Sequence, residues 1–102
     1  MIPLIKKIIG QKISEVALFE YTTQIIFKDG SRLTCYYPLI FSDGNNYKSI
    51  IGDALKNIED TDEEIRLVLH NQILRINKKL DMDPEFMELT VAGEDTIVVW
   101  NE

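Results

Sequence analysis

Apolar residues in this chain alternate with polar ones over short runs, and turn-forming residues separate the runs. The clearest case is QIIFKDGSRLTCYY, residues 24–37, where two β-branched and aromatic segments flank Asp29-Gly30. An Asp-Gly pair suits positive φ at both central positions of a type I′ turn, so a hairpin is predicted. Lys12 to Phe19 sets Ile13, Val16 and Leu18 among polar residues and reads as a further strand. Near the end, FMELTV alternates Met87, Leu89 and Val91 with Phe86, Glu88 and Thr90; the turn AGED and the run TIVVW follow. These predict two paired strands, and the near-continuous apolar run of TIVVW predicts a central strand rather than an edge. Helical signals are short: PLIKKII, with Pro3 in the first turn and Gly10 as a stop, and YKSIIG as one further turn. SDGNN, residues 42–46, is a loop by composition.

The stretch NIEDTDEEIRLVLHNQILRI, residues 57–76, fits two patterns. Ile51, Leu55, Ile58, Ile65, Leu69 and Ile76 fall at helical spacings and would make one stripe on a long helix. That helix would bury Asp62 and Gln72, run without a cap, and leave Leu67, Val68, Ile73 and Leu74 on its far side. The strand reading puts Ile65, Leu67 and Leu69 on one face, turns near His70 to Gln72 and returns through Ile73 to Ile76. Strands are preferred, and the run EDTDEE then becomes an exposed bend with Asp60-Thr61-Asp62 as its turn chemistry.

The pattern also repeats. Ile9-Gly10 precedes Ile13 and Val16 as Ile51-Gly52 precedes Leu55 and Ile58, and Asn71-Gln72 takes the place of Asp29-Gly30. Two units, 9–41 and 51–80, would each run short helix, strand, hairpin, with glycine as a shared C-cap. The expected fold is mainly β: about eight short antiparallel strands in two hairpin-containing repeat units, a sandwich or partly open barrel, with one or two short helices. A length of 102 residues, 45% of them apolar, suits one domain spanning 1–102.

Charge narrows the partners. The net charge is −6, but residues 1–51 hold six basic and four acidic side chains, while residues 52–102 hold five basic and thirteen acidic. An anionic second half repels phosphate backbones and anionic lipid, so nucleic acid and membrane are not expected partners and a basic protein is. No run approaches the length that crosses a bilayer, the N-terminus lacks a secretory pattern, and Cys35 has no second cysteine to pair with. These features point to the cytoplasm. Candidate chemistry is sparse: His70 is the only histidine and lies at a turn, and Cys35 sits in an alternating strand as a small buried residue. Neither Asp60-Thr61-Asp62 nor Asp81-Met82-Asp83 continues into a calcium loop, and there is no glycine-rich phosphate loop. No enzymatic activity, metal or cofactor is expected.

The pattern of the opening IIGQKISEV, then IIFKDGSRLTCYYP, and a glycine-marked second half ending in PEFMELTV and IVVW resembles small bacterial β-rich domains of unassigned function. Members of that group include immunity proteins of toxin–immunity systems, contact-dependent growth inhibition among them. The resemblance implies a protein that occludes a basic toxin, a nuclease above all, because an acidic surface mimics nucleic acid and speeds encounter. The candidate contacts are then Glu59, Asp60, Asp62, Glu63 and Glu64, joined by Asp81, Asp83 and Glu85, with Tyr36, Tyr37 and Tyr47 as added contact area. The alternative is a structural or regulatory β-module that self-associates as a homodimer through sheet edges, its acids serving solubility.

Overall fold

The computed structural model describes residues 4–20, 22–41, 47–78, 85–95 and 97–101. Helix α1 (Leu4–Ile8) leads into strands β1 (Ile13–Leu18), β2 (Thr23–Phe27), β3 (Arg32–Cys35) and the two-residue β4 (Ile40–Phe41). A 3-10 turn (Tyr47–Ile50) is followed by β5 (Leu55–Asp60), β6 (Glu64–Leu69), β7 (Ile73–Asn77), β8 (Glu85–Thr90) and β9 (Ile97–Asn101). One sheet has the order β1-β2-β3-β8-β9 and the other β4-β7-β6-β5, with antiparallel neighbours throughout. This is the mainly-β fold that the alternation predicts, in open sheets rather than a closed barrel. Residues 57–76 form strands, not a helix.

Period-two alternation explains the core. Ile25 and Phe27, Leu33 and Cys35, Ile65, Leu67 and Leu69, Leu74 and Ile76, and Met87 and Leu89 are buried together as one cluster drawn from both sheets. Each fully buried large aliphatic side chain contributes roughly 1.5–3 kcal/mol. A one-residue slip of any of these strands would turn its apolar set to solvent, which fixes the register.

Three local expectations fail for identifiable reasons. The β2–β3 connection is not a type I′ turn, because no described residue other than glycine has positive φ. Instead Phe27 N–H donates to the Ser31 carbonyl at 2.8 Å, and Gly30, at φ +93°, closes a three-residue loop. The Asp29 carboxylate accepts from Ser31 N–H at 2.9 Å, so Asp29 serves by its side chain rather than by its φ. Second, β9 is an edge strand, not a central one: β8 is its only described neighbour. Third, Phe86 is buried beside Met87, although alternation assigns the two to opposite faces. A register irregularity between Glu85 and Met87 lets both turn inward, and the Tyr37 ring meets Phe86 edge-on at 5.1 Å.

The two halves make the same backbone bonds at positions 42 residues apart, 10 with 52, 12 with 54 and 13 with 55. Gly10 N–H donates to the Leu55 carbonyl at 2.7 Å, and Gly52 N–H donates to the Ile13 carbonyl at 2.8 Å. Ile13 N–H donates to Asp53, and Leu55 N–H to Gln11, in the same reciprocal way. An antiparallel bridge joins Lys12 to Ala54, so equivalent residues face each other across a local two-fold axis. Both outgoing strands carry a bulge at the same place, between Ile13 and Glu15 and between Leu55 and Asn57. From this joint β1 and β5 lead away in opposite directions.

Candidate partner-binding surface at the β5–β6 end

β5 and β6 are joined by a bend whose geometry belongs to Thr61. Its backbone N–H donates to the Glu64 carbonyl at 2.9 Å, and its hydroxyl accepts from Glu64 N–H at 3.1 Å and from Glu63 N–H at 3.3 Å. These are the short local bonds that threonine offers a turn. The bend carries Asp62 and Glu63 at its exposed tip.

Glu59, Asp60 and Glu64 of the acidic run pair with cations from neighbouring strands. Glu59 lies opposite Arg66 in the ladder, 3.4 Å from its guanidinium. Arg66 and Arg75 also stand opposite each other, and the Glu64 carboxylate accepts from Arg66 Nε and lies 3.4 Å from Arg75 Nε. Like charges directly opposite repel, so Glu64 offsets an arginine pair that would otherwise strain the ladder. The Arg66 hydrogen bond, aided by the charges of both arginines, holds the Glu64 carboxyl below its ordinary value of 4.5. Asp60 pairs with Lys78, whose ammonium also sits 5.4 Å from the centre of the Phe86 ring. Three of the run's five carboxylates thus pair with three cations, and the field outside this end is weaker than the run EDTDEE suggests.

The other sequence-derived candidates divide. Lys78 over Phe86 brings the start of β8 to this same end, and Glu85 begins that strand opposite Asn101. Asp81 and Asp83 lie outside the described residues. Tyr37 is buried in the core, and Tyr36 is half-buried with its hydroxyl donating to Glu88 at 2.8 Å. Tyr47 is half-buried in the 3-10 turn.

Two exposed apolar features complete the surface, and neither was identified from the sequence. Ile40, 49% exposed on the short edge strand β4, lines a shallow cleft with Glu63, Glu64, Arg75 and Asn77. An apolar side chain beside an acidic tip is the composition of an anchored, polar-rimmed contact. The second is the β1–β2 bend, the backbone equivalent of the acidic one: Phe19 N–H donates to the Thr22 carbonyl at 2.8 Å, as Thr61 N–H does to Glu64. Where one bend is acidic, the other displays Leu18 and Phe19, the latter 58% exposed and lining a cleft with Tyr36, Tyr37 and Pro38. The same closing hydrogen bond therefore frames a charged bend at one place and an apolar one at the other, so the side chains are not dictated by that bond.

For chemistry, the described residues contain no group of three or more His, Cys, Asp or Glu side chains placed to hold a metal ion. Cys35 is fully buried, and burial pushes its thiol up to about 12. His70 is exposed at the β6–β7 turn. No described helix is long and apolar enough to cross a membrane. No protein-family model matches the chain, and no curated protein or solved structure is significantly similar to it.

Proposed function

We propose that this protein is a non-enzymatic binding protein of the cytoplasm, an immunity protein that occludes a basic toxin through the β5–β6 end. The observation that carries the reading is the exposed tip Asp62-Glu63, held rigidly by Thr61 beside the exposed Ile40. A fixed bend keeps the ordering cost of binding low, and the net charge of −6 attracts a basic partner. Glu59, Asp60 and Glu64 act in this reading mainly by neutralising Arg66, Arg75 and Lys78, so that the cations of the partner are met by the exposed tip.

The test uses Asp62→Lys with Glu63→Lys, which leaves Glu59, Asp60 and Glu64 in place. Wild-type protein immobilised in a lysate of its native host should retain a basic polypeptide at low salt, suppress that polypeptide's toxicity on co-expression, and release it as salt rises. The double variant should lose both retention and protection while keeping its circular dichroism. Protection that survives the double reversal, or a retained partner that is acidic, refutes the proposal.

A further inference from the structure

Four strands end the two sheets: β1 and β9 in one, β4 and β5 in the other. An open edge offers unpaired N–H and C=O groups to any passing strand, and proteins blunt such edges with charge, bulges or brevity. β1 carries Glu15 and a bulge, β5 carries Lys56, Glu59, Asp60 and a bulge, and β4 is two residues long. β9 is different. Its sequence IVVWN holds no charge and no proline, and the irregularity in its pairing puts the extra residue on β8. Ile97 stands 46% exposed at its start, and among the described residues nothing pairs with its outer side.

We propose that β9 pairs antiparallel with β9 of a second copy, joining two five-stranded sheets across a two-fold axis. An edge without charge offers no ion pair to the charged edges of β1 or β5, whose charges would be set against its apolar side chains, and it matches itself. Charge also sets the direction: the Asn101 end of β9 lies beside the start of β8, at the end of the molecule where Phe86 meets Lys78 and Asp60. Antiparallel pairing places that end against the Ile97 end of the other copy, where Lys7 pairs with Glu94 and Asp95 is exposed, and keeps the two β5–β6 acidic runs apart, whereas parallel pairing would set like ends together. Five residues per copy bury less than about 1,000 Å², so the dimer is weak, with a Kd of about 100 μM. This association is independent of the toxin-binding reading.

Sedimentation equilibrium of the wild-type protein from about 10 μM to about 1 mM tests it. The weight-average mass should rise towards twice that of the monomer. Ile97→Lys should hold the protein at the monomer mass across the range, and Ile97→Thr, uncharged and β-branched, should leave Kd within about threefold. A wild-type protein that stays monomeric at about 1 mM overturns the proposal, as does a dimer that Ile97→Lys does not weaken.

Discussion

Asp53 is the most informative residue to remove, because it breaks the equivalence of the two halves. Its side chain is buried to 7% exposure, and its carboxylate accepts from Ala54 N–H at 2.9 Å, from Asn71 N–H at 3.2 Å and from the Asn71 side-chain amide at 3.2 Å. One carboxylate therefore ties the joint between the halves to the β6–β7 turn. Its counterpart in the first half is Gln11, whose side chain makes no hydrogen bond among the described residues. Asp53→Ala leaves two backbone donors short of a partner and removes charge-assisted bonds. Ala54 is half-buried and Asn71 exposed, so water restores part of the loss, and the expected cost is about 2–3 kcal/mol. With a urea slope of about 1.3 kcal/mol/M, the midpoint should fall by about 2 M. Gln11→Ala should move it by less than about 0.4 M, and Asp53→Asn, which keeps one acceptor, should fall between the two. Equal effects from Asp53→Ala and Gln11→Ala would show that the joint, not the carboxylate bridge, carries the energy.

Three further outcomes are expected. Cys35 should resist a thiol-specific reagent at about pH 8 in the native protein and react at least about a thousandfold faster in denaturant, since it is buried and pushed up to about 12; comparable rates would contradict its burial. Glu64 has a carboxyl held below its ordinary 4.5, so its contribution to stability is complete above that value and disappears as pH falls through the lower folded one. The urea-midpoint gap between wild type and Glu64→Gln should therefore be open at about pH 7 and close towards about pH 3, and a constant gap would rule the linkage out. Gly30→Ala meets only Ala92 Cβ at 3.8 Å, so its cost comes from φ +93° and should be about 1–2 kcal/mol in the same titration. A loss below about 0.3 kcal/mol would mean that the loop tolerates a side chain at that angle.

Much of the architecture was legible because burial imposes a period. Ile65, Leu67 and Leu69 alternate because one sheet face is dry, and the same constraint made Leu33, Cys35, Met87 and Leu89 readable. What alternation cannot convey is which neighbour a strand receives. The apolar run Ile97–Trp100 is consistent with either a central or an edge place, and the pairing of β3 with β8 decides it. Phe86 departs from the alternation because a bulge is a backbone event with no apolar signature. The acidic run was visible, but its engagement by Arg66, Arg75 and Lys78 was not, since those contacts depend on cross-strand register. Ile40 gave no signal because nothing around it marks a two-residue edge strand. The apolar bend did leave a trace: LFEYTT stands where the other half reads DTDEEI.

The reciprocal bonds between Gly10–Ile13 and Gly52–Leu55 have a kinetic corollary. Neither segment can complete its own hydrogen bonding until the chain has closed a loop of about forty residues, and that closure precedes most of the enthalpic return. The molecule should consequently fold in one slow, all-or-none step, with no autonomous half accumulating along the way.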